Sequence, residues 1–138
     1  VSQSKDNAVY YIQYAHARVN RMVDVKAPEK GISFDRSKVA DYDATLLVLD
    51  AETEILAKLA AYPEIVLRAA NSYEPHQVGN YLKELAALFH GWYNLDNTRI
   101  IDEQNIALSQ ARLLLSINVQ QVLRNGLELL GVSAPEAM

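Results

Sequence analysis

Apolar side chains recur at three- and four-residue intervals through most of the chain, the spacing of one helix face, and no stretch sustains the alternation of a strand. The first predicted helix runs from about Asp6 to Val25. Asp6 or Asn7 can cap it, and Val9, Ile12, Ala15, Val19 and Met22 share its inner face. Pro28, Gly31 and Ser33 then mark a loop reaching to about Asp43, expected to be mobile, with room for a short helical turn. Helical spacing resumes from Ala44 to Leu59, and Asp50 can interrupt it and cap a second segment. Pro63 and Glu74-Pro75 each open a further helix, because proline is tolerated in a first turn. In the second of these, Val78, Leu82, Leu85, Ala86, Phe89 and Trp92 point inward. After a turn at Asn94 to Asn97, a last helix runs from about Asp102 to Leu130. It is apolar nearly all round and so is expected to be central, and Gly131 ends it. The expectation is an all-α bundle of about five helices forming a single domain over residues 1–138.

The chain's 138 residues suffice for one buried core. There is no cysteine, hence no disulfide framework and no thiolate metal site. No apolar run approaches the roughly 20 residues that span a bilayer, and a cytoplasmic monomer away from membranes is expected. The chain begins on Val1 rather than Met, which reads as a piece of something longer. Its net charge of −4 argues against a coat for long duplexes. The charge is unevenly spread, however. Residues 1–26 carry Lys5, Arg18, Arg21 and Lys26 against Asp6 and Asp24, and are the only net-positive segment. A reader of a few nucleotides fits there.

Catalytic and metal patterns are missing. His16, His76 and His90 lie far apart, no Glu-x-x-His pair exists, and there is no glycine-rich phosphate loop. The acidic run Asp50, Glu52, Glu54 reads as a solvated helix N-terminus, which the helix dipole favours. No catalytic residue and no metal ligand is therefore assigned. What stands out is Tyr10 to Arg18, with three of the chain's eight tyrosines in five positions. On a helix Tyr11, Tyr14 and Arg18 share a face, and Tyr10, Gln13, Ala17 and Arg21 form the next stripe. Flat rings beside a guanidinium suit stacking on unpaired bases, worth about 1–3 kcal/mol per base. Gln13 and Arg18 could bond base edges or phosphate. The same pattern also suits half-buried tyrosines packing in a core.

These residues carry a family resemblance. Tyr11-Ile12-Gln13-Tyr14-Ala15-His16-Ala17-Arg18 resembles the signature that opens the C-terminal helical (DALR) anticodon-binding domain of arginyl-tRNA synthetases. Leu56-x-x-Leu59-x-x-Tyr62-Pro63 is similar to the family's turn before its middle helices. Glu74-Pro75-His76, with Tyr81-Leu82-x-x-Leu85-Ala86-x-x-Phe89-His90-x-x-Tyr93-Asn94, resembles its long helix. The ending from Val122-Leu123 through Gly126-Leu127 to Ala134-Pro135-Glu136-x-Met138 resembles its usual terminus. Two positions depart from the pattern: Ala8, where bacterial members usually have Pro, and Ala137, where the ending usually has Arg. Residues 27–43 match nothing in it.

The resemblance implies binding rather than catalysis by this domain. It implies that the partner is the anticodon loop of an arginine tRNA, with the middle cytosine read and the tRNA positioned for aminoacylation elsewhere. ATP and arginine would belong to a catalytic domain upstream, and no cofactor is expected here. Carried over by motif, Tyr11, Tyr14, Arg18 and the terminal Met138 would line the anticodon cleft, set between the first and last helices. Gln13, Arg21 and Arg112, with Arg124, are further candidate RNA contacts. His16 is expected to be a hydrogen-bonded structural residue, and Tyr93 and Asn94 to tie helices together. The alternative is a helical protein–protein interaction domain using the same aromatic surface.

Overall fold

Burying the apolar stripe of the first helix against two long neighbours organises the chain, here described from a computed structural model covering residues 2–95, 100–132, 134 and 138, with side chains from residue 7 onward. Helix α1 (Ser2–Arg21) puts Ile12, Ala15, Val19 and, just beyond its end, Met22 into the core. It packs on α5 (His76–Tyr93) and α6 (Ile106–Leu129). Val78, Leu82, Leu85, Ala86, Phe89 and Trp92 of α5 are all buried, as the periodicity requires. Helices α3 (Asp50–Ala60) and α4 (Tyr62–Ser72) cover another side of α5. The expected bundle is thus present: five helices of 11 to 24 residues, all-α among the described residues. No helix among the described residues is long and apolar enough to cross a membrane.

Several boundaries differ from expectation. Helix α1 begins at Ser2, so Asp6 and Asn7 lie inside it rather than capping it. At the other end the helix does not stop near Val25. It widens into a π turn at Met22–Lys26, where the Ala27 N–H bonds the Met22 carbonyl, and continues as α2 (Ala27–Glu29). The widened turn immediately precedes Pro28, which has no N–H to give an α-helical ladder and whose ring would crowd the carbonyl four residues back. Gly31 then ends the helix at φ 72°, a conformation costly for residues with a Cβ. Ile32 N–H reaches back to the Ala27 carbonyl at 2.9 Å, and Ile32 itself is buried. The predicted loop 27–43 therefore begins helical and contributes Ala27 and Ile32 to the core. Beyond it lie Phe34 stacked on Tyr42 and a 3-10 turn at Val39–Asp41.

The helical reading from Ala44 to Leu59 divides at Asp50 as expected. Before it only one 3-10 turn forms (Ala44–Leu46), capped by Asp43, which accepts from the Thr45 N–H; from it runs α3, whose N-cap is Leu49 rather than Asp50. The turn aims Leu47 into the core. Helix α6 starts four residues later than expected, at Ile106, because Asn105 rather than Asp102 caps it, accepting from the Leu108 N–H at 3.2 Å. Gly131, at φ 73°, closes it as anticipated, with Val132 N–H returning to the Leu127 carbonyl. Of the turn expected at Asn94 to Asn97, residues 96–97 lie outside the described residues.

Helices α5 and α6 approach closely where Gly126 faces Leu82. A Cβ at Gly126 would lie 2.5 Å from a Leu82 methyl.

A candidate RNA-binding groove

Helix α1 carries the candidate face, and the π turn after it shapes what that face looks onto. An open groove of ≈ 620 Å³ is bounded by Tyr14, Arg18 and Arg21 of α1, Lys26 of the π turn, Tyr93 at the end of α5, and Met138. Its floor at Ala17 is small, which leaves room for a flat ligand beside the rings. The wall facing α1 comes from α5 and the chain's last residue, not from α6 as the sequence suggested. Helix α6 instead lines an adjoining groove of ≈ 430 Å³ with Asn118, Gln121 and Arg124, and Arg36 of the loop after α2 lines it too.

Arg18 is the organised centre of the first groove. Its guanidinium lies 3.8 Å from the centroid of the Tyr93 ring and 5.0 Å from that of Tyr14. It also donates from Nη1 to His90 Nδ1 at 3.0 Å. Lys26 Nζ donates to the Tyr93 hydroxyl and stands 5.1 Å from the ring centroid. The Arg18 guanidinium thus lies against the negative π-system of Tyr93, while Lys26 holds the same ring by its hydroxyl. Tyr14 is 40% exposed and Met138 is 55% exposed, so both can meet a ligand. Arg18, Arg21 and Lys26 outnumber Asp24 at the groove, and Asp24 is also engaged by Arg36 at 3.7 Å. The electrostatic balance therefore favours an anion although the whole chain is acidic.

The structure brings Tyr14, Arg18, Arg21 and Met138 together and sets the other candidates apart. Tyr11 does not line this groove: its ring is half-buried, 4.7 Å from the His90 ring. Gln13 is half-buried on α1 and does not line it either. Arg112 is unavailable to RNA. Only 8% exposed, it donates from Nε to Glu52 Oε2 at 2.9 Å in the bundle interior. A guanidinium there answers a buried carboxylate rather than solvent. That pair also corrects the reading of Asp50, Glu52 and Glu54 as a solvated helix N-terminus at one position: Glu52 is fully buried, while Asp50 and Glu54 are exposed at the start of α3 as expected. His16 is structural as expected: it is buried and accepts from Arg124 Nε at 3.3 Å. Tyr93 does tie helices together, and in doing so becomes part of the groove; Asn94 is exposed at the C-cap of α5. Sequence reasoning passed over Lys26 and His90 as site residues. The only signal was the helical spacing that puts His90 and Tyr93 on one face of α5.

A family described as the DALR anticodon binding domain matches residues 12–138. An arginine–tRNA ligase of Acinetobacter baumannii (strain AYE) is 73% identical over 138 residues, covering 100% of this chain and 22% of the ligase. The arginine–tRNA ligase of Psychrobacter cryohalolentis is 51% identical over 99% of this chain and 24% of its own length. The chain therefore spans less than a quarter of the curated relatives it matches. Among solved structures, the Thermus thermophilus arginyl-tRNA synthetase superposes with a TM-score of 0.72 at 31% identity, over 93% of this chain and 21% of that one.

Proposed function

The chain belongs to the DALR anticodon binding domain family, and on that footing we propose that it grips the anticodon loop of an arginine tRNA as the helical domain of a longer arginine–tRNA ligase. Loop bases unstack and enter the groove beside Tyr14. The Arg18 guanidinium takes base edges, and the side-chain cations of Arg21 and Lys26 take phosphates. Holding the anticodon fixes where the acceptor end of the tRNA lies, while ATP and arginine are handled by the remainder of the longer protein. The domain itself contributes binding and no bond-making step, and it works as a monomer.

One observation carries this reading. A rigidly held Arg18, stacked on Tyr93, lines a cation-rimmed groove with Tyr14 and Met138. Two aromatic walls, a planar donor and a surplus of positive charge are what an unpaired base and its phosphates require. A protein-interaction surface, the alternative reading, needs no such local cation excess.

The test is binding of the chain to an arginine-tRNA anticodon stem-loop at low and moderate salt, beside a loop with the middle cytosine replaced. Selective binding that weakens with salt and is lost in Tyr14→Ala or Arg18→Ala supports the proposal. Equal affinity for both loops reduces it to non-specific RNA contact, and absence of binding at high protein concentration removes autonomous recognition.

A further inference from the structure

Resting on the groove being the RNA site, we propose that His90 is a positioning residue for Arg18, competent only as the neutral imidazole with its proton on Nε2, so that protonating it releases Arg18 and switches the groove off in acid. His90 is buried on α5 and does not line the groove. It acts from behind. A guanidinium can only donate, so the 3.0 Å contact from Arg18 Nη1 requires a lone pair on His90 Nδ1. The Tyr11 carbonyl can only accept, and it lies 3.4 Å from His90 Nε2. Both neighbours thus demand the same tautomer. The imidazole itself is wedged among Tyr11 at 4.7 Å, Tyr14 at 5.4 Å and Phe89 at 5.7 Å between ring centroids.

The surroundings also make the charged form costly. From α1 the ring meets the Arg18 cation and the phenols of Tyr11 and Tyr14. From its own helix it meets Phe89, and Tyr93 lies one turn on; Lys26 of the π turn stands beyond Tyr93. Of these described neighbours the charged ones, Arg18 and Lys26, are both cations. Burial and Arg18 hold the imidazole below its ordinary range, against the opposing pull of the Tyr11 carbonyl. A proton arriving on Nδ1 would find a donor where it needs an acceptor, and the guanidinium would have to leave. Without that bond Arg18 keeps, among the described residues, its contacts with the Tyr14 and Tyr93 rings, and its N–H groups lose the fixed plane that base recognition needs.

The experiment compares wild type, His90→Asn and His90→Phe for binding the cognate and cytosine-replaced stem-loops from pH 7.5 to 5. Circular dichroism and thermal melting establish that each variant is folded. In Asn the side-chain oxygen stands close to the position of Nδ1, accepts from Arg18 and cannot titrate. His90→Phe is expected to lose about tenfold or more of cognate affinity at pH 7.5, the scale of a hydrogen bond to a charged group. His90→Asn should restore most of that and remove the loss of affinity between pH 6.5 and 5. Nitrogen-15 spectra of the wild-type imidazole should show a proton on Nε2 and a bare Nδ1 at pH 7.5. Wild-type affinity in His90→Phe, an Asn variant as weak as the Phe variant though folded, or a proton on Nδ1 would each overturn the proposal. If wild type itself fails to distinguish the two loops, the RNA reading falls first, and that failure is visible without any His90 variant.

Discussion

Glu52 and Arg112 meet inside the bundle, 60 residues apart in sequence, with Arg112 Nε 2.9 Å from Glu52 Oε2. Trp92 Nε1 donates to the same oxygen at 3.1 Å, and the other carboxylate oxygen accepts from the Leu49 N–H at the start of α3. One carboxylate therefore pins the entry to α3, the second turn of α6 and the end of α5. Those three points fix where α5 delivers His90 and Tyr93 to the groove.

Removing either member should strand the other as an uncompensated charge in the interior. Glu52→Ala or Arg112→Ala should cost about 3–5 kcal/mol of stability in urea unfolding. The double change Glu52→Leu with Arg112→Met should cost less than either single change, because no charge is left behind. Additive losses in the double variant would show that the pair is held by something other than mutual neutralisation.

Helix positions were legible because burial here follows the local repeat. Ile12, Ala15 and Val19 announce their inner face from spacing alone, and so do Leu82, Leu85 and Phe89. Tyr14 and Arg18 were legible for the same reason, lying one helical turn apart on a single helix. What lay hidden depends on partners distant in sequence. Glu52 in an acidic run looks solvated until Arg112 arrives from α6. His90 looks like one more core residue until Arg18, 72 positions earlier, is laid across it. The helix continuing past Val25 was hidden for a local reason: Pro28 signals a stop, and only the widened turn before it lets the chain pass.

The near contact of α5 and α6 makes Gly126 intolerant. A Cβ there meets three Leu82 side-chain atoms at 2.5–2.9 Å, and Leu82 is fully buried with nowhere to swing. Gly126→Ala should lower stability by about 1–3 kcal/mol as overpacking. Adding Leu82→Ala should cost less in that background than in the wild type, since the new methyl refills part of the space. A stabilising Gly126→Ala would mean the helices can move apart freely.

Helix α4 ends on Tyr73 at φ 56°, ψ 38°, a left-handed position with the side chain 91% exposed. The ring contributes little burial, while the Cβ bears the strain of that conformation. Tyr73→Gly should therefore raise stability by about 1 kcal/mol, read as a higher melting temperature. Unchanged or lower stability would indicate that the ring has a packing role its exposure conceals.

Charge alone does not account for Arg18. Lysine would keep the cation but lose the planar face laid on Tyr93 and the fixed direction of the bond to His90. Arg18→Lys should weaken stem-loop binding about tenfold or more, the scale of a charge-assisted hydrogen bond, while leaving the salt dependence nearly unchanged. Retention of full affinity would mean the groove needs only a positive charge at this position.

Acid sensitivity should separate into two windows. The folded state holds His90 below its ordinary value of 6.5, so around and below that value the unfolded chain binds the proton more readily. The stability His90 confers is thus complete above about pH 6.5 and is lost as pH falls through its lower, folded value. Asp35 and Asp43, whose carboxylates accept from Ser37 and Thr45, are likewise held below their usual 3.8, and act only in more acidic solution. Both effects have the same sign, with stability rising with pH, but they occupy different ranges. His90→Asn should flatten the unfolding free energy between pH 6.5 and 5 and leave the fall below pH 4 intact. Asp35→Asn with Asp43→Asn should do the reverse. If the slope between pH 6.5 and 5 survives in His90→Asn, the buried His90 imidazole is not its source.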